Sequence, residues 1–183
     1  MEGSSYFYTL AKASPRSDAH HLRLSGVTRE LGLPPDGRTR QKKQVQTIQI
    51  ASLNVGSMMG RGQELADILK TWKVHIACVQ EVRWKGEKLR DIGAGYKLLY
   101  YGTTTKKSIG VIINEQLRDW VLEIRRVLDR LMAVKIGLLE GPMVIISAYA
   151  PQFGCAAEEK AAFWESLDAT LPGCQAPCHW RRS

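Results

Sequence analysis

Three short apolar segments of this chain each end in polar side chains that can hold a metal ion or a phosphate. Residues 48–53 lead to Asn54, residues 74–79 lead to Gln80 and Glu81, and residues 143–148 lead to Tyr149. Carboxylate oxygens are ligands for hard cations such as Mg²⁺, while amides and phenols can donate hydrogen bonds to phosphate oxygens. These residue types predict metal-assisted chemistry on a phosphate, with Gln152 as a further donor.

Each of these residues also has an ordinary interpretation. Glu81 can be an exposed residue that starts a charged segment, and Asn54 can be a turn residue before Gly56. Tyr149 can cap the core with its hydroxyl in water. Their common placement at the ends of predicted strands favours a shared site over three unrelated roles.

The apolar segments are rich in β-branched residues and predict buried strands. After Asn54, a Gly-rich loop (56–62) is followed by Leu65, Ile68, Leu69 and Trp72, whose spacing predicts an amphipathic helix over 63–72. A strand, a helix and a second strand form a βαβ unit with parallel strands. In open α/β sheets, ligands bind at the carboxyl ends of such strands.

Closely spaced strands follow and predict antiparallel hairpins beside the parallel pair. They cover residues 96–101, 108–113, 121–127, 130–136 and 143–149, while 81–91 is predicted as a charged loop and 156–169 as a last helix. The predicted fold class is α/β: a mixed β-sheet with flanking helices. The predicted organisation is a flexible basic leader (1–44), a domain (45–171) and a tail (172–183).

The net charge of +8 and the pI near 9.5 favour an anionic partner, with nucleic acid ahead of a membrane surface. The alternative is that the positive charge only keeps the protein soluble. The four cysteines form no disulfide framework, and no signal sequence or membrane-spanning apolar segment is evident. We expect an intracellular protein, nuclear or cytoplasmic.

Two blocks resemble the endonuclease/exonuclease/phosphatase superfamily: residues 50–55 (Ile-Ala-Ser-Leu-Asn-Val) and 76–84 (Ile-Ala-Cys-Val-Gln-Glu-Val-Arg-Trp). A third, residues 147–152 (Ser-Ala-Tyr-Ala-Pro-Gln), is typical of the middle of that fold. The branch that looks most similar is the apurinic-type endonuclease domain of non-LTR retrotransposons, including the craniofacial development protein 2-like group. The resemblance covers about residues 46–171 and implies the N-terminal half of a four-layer α/β sandwich.

The resemblance implies a Mg²⁺-dependent DNA endonuclease, with Mn²⁺ as an alternative metal. Glu81 and Asn54 would form the metal site, and Asn54 would also position the phosphate and metal-bound water. Tyr149 would contact the phosphoryl group, and Gln152 would contact the DNA backbone. The implied reaction is hydrolysis of a phosphodiester by water.

The sequence also departs from the family. Relatives follow the tyrosine block with a Gly-Asp-x-Asn motif that supplies the water-activating Asp, and they end near a Ser-Asp-His motif. Neither occurs here, and residues 172–183 no longer resemble the family. The expectation is a C-terminally truncated copy that is catalytically inactive.

Three hypotheses remain open: an active nuclease, a degenerate fragment with nucleic-acid affinity, and a protein-interaction module. Half a sandwich would leave an apolar sheet face bare, which predicts oligomers formed through that face.

Overall fold

The computed structural model describes residues 5–11, 48–104, 108–138, 141–152 and 154–171. The predicted tail (172–183) lies outside these residues, and so does the predicted leader (1–44) apart from Ser5–Ala11. Those seven residues form strand β1.

A five-stranded sheet carries the first two segments of the site. Its strands are β2 (Ile50–Asn54), β3 (Ile76–Gln80), β4 (Gly86–Gly93), β5 (Tyr96–Gly102) and β6 (Ile109–Asn114), in the order β2-β3-β6-β5-β4. β2 and β3 are parallel and are joined through helix α1 (Gly62–Thr71), while the other pairs are antiparallel. The predicted βαβ unit and mixed sheet are therefore present.

A second sheet holds the later strands. The short helix α2 (Glu115–Arg118) leads to the antiparallel strands β7 (Val121–Leu128), β8 (Leu131–Leu138) and β9 (Gly141–Tyr149). β1 pairs with β9 in parallel, which gives the order β1-β9-β8-β7. The strands that were predicted to extend one mixed sheet are thus divided between two. Hairpin patterns are local, and they do not show that the chain changes sheets after β6.

The two sheets pack face to face. Ile76 and Val111 of the five-stranded sheet lie in one buried cluster with Val134 and Ile145 of the four-stranded sheet. Among the described residues, the inner faces therefore cover each other, and the apolar face that was expected to be bare is buried. Oligomer formation stays a prediction, but a bare apolar sheet face is no longer a reason to expect it.

A helix covers the outer face of each sheet. Ala66 and Leu69 of α1 are fully buried against the five-stranded sheet. Phe163 and Leu167 of α3 (Ala157–Thr170) pack on the four-stranded sheet. The result is a helix–sheet–sheet–helix sandwich, and both predicted helices agree with α1 and α3 to within one residue. No helix in the described part is long and apolar enough to cross a membrane.

Two strands were not predicted. β4 lies in the segment predicted as a charged loop, and six of its eight positions are exposed. It is an edge strand that is held by its pairing with β5, so it needs no apolar pattern, and its charges are typical of sheet edges. β1 has the sequence Ser-Tyr-Phe-Tyr-Thr-Leu-Ala, and its three aromatic residues and one threonine were the missed signal.

Candidate functional site

Three strand ends meet around one carboxylate. Asn54 ends β2, Tyr149 ends β9, and Glu81 follows the last residue of β3. The Glu81 Oε1 atom accepts a hydrogen bond from Asn54 Nδ2 at 2.9 Å and another from the Tyr149 hydroxyl at 2.8 Å. The structure therefore brings together on one rim the three side chains that the sequence placed at strand ends.

The backbone turns sharply at Glu81. Its φ is +58°, a left-handed conformation that is uncommon for residues other than glycine. The turn is held by hydrogen bonds to Ser108: Val82 N donates to its carbonyl at 3.2 Å, and Arg83 N donates to its Oγ at 2.6 Å. Such a conformation costs about 1–3 kcal/mol and persists where the surroundings fix it, most often at functional sites.

The donors around Glu81 keep it ionised. Partial burial alone would raise the pKa of its carboxyl. Hydrogen bonds from Asn54, Tyr149 and Arg83, together with the Arg83 charge, outweigh burial and hold the pKa below its usual value. The side chain is 21% exposed, so a charged carboxylate is presented to solvent at the rim.

Tyr149 is a firmly protonated hydrogen-bond donor. Burial, the hydrogen bond to Glu81 and the Glu81 charge raise the pKa of its phenol to about 12, against opposing effects of Gln152 and Arg130. Gln152 is itself exposed and hydrogen-bonds Tyr149, so the fourth predicted site residue also lies at the rim.

Arg130 is a component of the site that the sequence-based assignment did not include. It is 8% exposed, its guanidinium lies 5.2 Å from the centre of the Tyr149 ring, and its carbonyl accepts from Tyr149 N at 2.8 Å. Glu159 of α3 balances its charge at 3.4 Å. The available signal was a charged residue directly before the apolar strand β8. Arg130 therefore fixes both the backbone and the ring of Tyr149.

The donor set fits a magnesium ion that keeps most of its own water. Oε1 of Glu81 already accepts two hydrogen bonds, whereas the one partner of Oε2 among the described residues is Arg83, at 3.4 Å. Asn54 turns its NH₂ toward Glu81, and its Oδ1 accepts from Gly56 N at 3.0 Å. The described residues contain no group of three His, Cys, Asp or Glu side chains that could hold a metal. Mg²⁺ is commonly bound through one or two carboxylates, several waters and substrate phosphate.

Comparison with known proteins identifies the fold. No family model matches the chain, and no curated protein matches it. Among solved structures, an AP endonuclease from Archaeoglobus fulgidus is similar, with a TM-score of 0.54 and 22% identity over 68% of this chain and 51% of that one. The Xenopus laevis APE2 catalytic domain matches with a TM-score of 0.44 and 14% identity, over 64% and 48% of the two chains. The chain spans about half the length of these structures.

The likeness to the archaeal enzyme confirms the predicted fold class: this chain has an α/β fold of the AP-endonuclease kind.

Proposed function

We propose that this chain carries the metal-binding part of a Mg²⁺-dependent DNA phosphodiesterase site and does not cleave DNA by itself. The observation that carries the proposal is the Glu81 carboxylate, held by Asn54 and Tyr149 at the rim where three strands end. The fold and the three sequence blocks support an origin in the endonuclease domain of a non-LTR retrotransposon. The blocks also favour DNA as the partner.

In this proposal Glu81 would hold the metal ion. Asn54 and Tyr149 would support the metal through Glu81, because both donate to Oε1 and neither donates to Oε2. Asn54 would not itself be a ligand, because its Oδ1 accepts from Gly56 N. Mn²⁺ would bind the same oxygen ligands. A bound divalent cation would stabilise the charge on phosphate and leaving-group oxygens. Gln152 would donate to the DNA backbone, and its exposure next to Tyr149 supports this role.

Among the residues that the structure describes, no side chain at the rim is free to act as a base for the attacking water. Asp129 accepts two hydrogen bonds from Thr103, and Glu159 pairs with Arg130. His75 precedes β3, at the opposite end of that strand from Glu81, and its Nδ1 accepts from Gln49 N at 3.0 Å. General-base help is worth about 10²- to 10⁴-fold in rate, so its loss leaves little activity.

Nucleic-acid binding without cleavage is the second candidate function, and the segment after Glu81 favours it. Arg90 stacks on Trp84, with 4.5 Å between the guanidinium carbon and the ring centre, and the Trp84 ring packs edge-on against Tyr100. Aromatic and basic side chains together are typical of surfaces that bind nucleic acid. A protein-interaction module is the remaining alternative.

The proposal is tested with the full chain and supercoiled plasmid DNA. We expect DNA to bind with an affinity that falls as salt rises, because phosphate contacts release counterions. We expect the plasmid to stay supercoiled in Mg²⁺ and in Mn²⁺.

Nicking that is lost in Glu81→Gln would contradict the proposed inactivity and would mean that another residue acts as the base. Salt-independent binding, or none, would instead favour a protein-interaction module.

A further inference from the structure

Arg83 lies beside the carboxylate oxygen that remains open for the proposed metal ion. Its Nη2 atom lies 3.4 Å from Glu81 Oε2, the oxygen that Asn54 and Tyr149 leave open. The contact is long for a charge-assisted hydrogen bond, and the Arg83 side chain is 56% exposed. The guanidinium is therefore a weakly held cation beside Oε2.

The backbone places Arg83 there. Arg83 has a φ of +60°, so it repeats the left-handed conformation of Glu81 two residues earlier. Its amide is fixed to Ser108, which is fully buried. The main chain of Arg83 is thus anchored, whereas its long side chain is mostly exposed and is held by one long contact. That combination suits a group that exchanges one anionic partner for another.

We propose that Arg83 and a divalent cation compete for Glu81 Oε2, and that Arg83, once displaced, binds a phosphate of the nucleic-acid backbone. This inference rests on the proposed metal site. A dication and a guanidinium repel each other at this range, so they cannot both stay close to one carboxylate oxygen without cost. A guanidinium suits phosphate well, because its fork of donors matches two phosphate oxygens.

The exchange couples the two ligands. Metal binding frees Arg83 for phosphate, and phosphate binding removes Arg83 from the metal position. Each ligand should therefore raise the affinity of the chain for the other, by the same factor. A chain without a cation at position 83 should lose this coupling.

The test measures Mn²⁺ affinity by calorimetry with MnCl₂, alone and with a short DNA duplex. In Arg83→Gln we expect Mn²⁺ alone to bind about fivefold more tightly at low salt, since a repelling charge is gone. The gain in Mn²⁺ affinity on adding the duplex should shrink. With Mn²⁺ present, the slope of log DNA affinity against log salt concentration should become shallower by about the amount that one phosphate contact contributes.

Two variants serve as controls. Arg83→Lys keeps the charge and should bind Mn²⁺ within about twofold of the unchanged chain, since exposed ion pairs of either type contribute little. Arg125 pairs with Glu123 at 3.4 Å, with the same two-residue spacing as Arg83 and Glu81, and its side chain is 46% exposed. Arg125→Gln removes an equivalent charge on β7 and should leave Mn²⁺ affinity unchanged.

The outcomes separate this inference from the proposed function. Equal or weaker Mn²⁺ binding in Arg83→Gln, while Glu81→Gln abolishes binding, would overturn the competition and leave the metal site intact. No Mn²⁺ binding in either the unchanged chain or Arg83→Gln would overturn both. Tighter binding in Arg83→Gln together with the lost coupling supports the exchange.

Discussion

The Glu81→Gln chain is expected to bind Mn²⁺ or Mg²⁺ at least about a hundredfold more weakly than the unchanged chain. Removing a group that only orients a metal ligand already costs up to about a hundredfold in affinity, and Glu81 is the proposed ligand itself. The substitution keeps the size of the side chain and removes the charge that the ion needs. Asn54 and Tyr149 both donate to this group, and neither can replace it as an anionic ligand. Isothermal titration with MnCl₂ measures the change directly.

Glu123 gives the matched control for this substitution. It is half exposed and pairs with Arg125 two residues later at 3.4 Å, as Glu81 pairs with Arg83. It lacks the converging donors from other strands, so Glu123→Gln should leave Mn²⁺ affinity unchanged. Equal affinities for the unchanged chain and Glu81→Gln would show that the metal binds elsewhere.

Gly110→Ala is expected to lower the free energy of unfolding by about 3 kcal/mol, near the upper end of the usual cost of overpacking a core. Gly110 lies in β6 between Val79 of β3 and Tyr100 of β5. An added Cβ would lie 2.6 Å from Leu98 Cδ1 and 2.7 Å from the Leu99 carbonyl oxygen. The Leu99 carbonyl belongs to the backbone of a central strand and cannot move aside cheaply.

Urea unfolding followed by circular dichroism measures the loss, and Gly62→Ala is the control. A Cβ at Gly62 would lie 3.4 Å from Ile92 Cβ, an ordinary contact at the start of α1. That variant should be as stable as the unchanged chain or more stable by about 0.4–1 kcal/mol, because alanine restricts the unfolded chain. If Gly110→Ala unfolds at the same urea concentration as the unchanged chain, the packing of β3, β5 and β6 described above is incorrect.

Predicted strand ends were sufficient to place Asn54 beside Glu81, because both follow strands of one βαβ unit. Asn54 and Glu81 follow two apolar β-branched segments that form parallel neighbouring strands, so their convergence required only that both segments be strands. Tyr149 ends β9 of the other sheet, and its place at the rim also depends on how the two sheets pack. The same argument could not find Arg130. Its role depends on the packing of α3 against β8 and β9, which the local pattern does not contain.

The division into two sheets was also beyond local patterns. Strands β7 to β9 read as hairpins, and a hairpin looks the same whether it extends a sheet or begins another. The distinction lies in long-range contacts, such as those that place Val134 and Ile145 against Ile76. Strand β4 was missed for a different reason. Its residues are charged and exposed, so it has no apolar pattern, and backbone pairing with β5 holds it in the sheet.

The role of Arg83 could not be anticipated either. An arginine two residues after a glutamate is unremarkable in a strand or a loop. Here the left-handed conformations at both residues bring its guanidinium onto the open carboxylate oxygen. Sequence spacing alone does not reveal such a turn, because glycine is the residue that usually marks a positive φ.

The central claim is that a divalent cation binds at Glu81, and paramagnetic broadening by Mn²⁺ in the amide NMR spectrum tests it most directly. The amides of Val55, Val82 and Ala150 directly follow Asn54, Glu81 and Tyr149 in the chain. Substoichiometric Mn²⁺ should broaden these signals first in the unchanged chain and leave them sharp in Glu81→Gln. Signals that stay sharp at this rim while amides elsewhere broaden would contradict the claim.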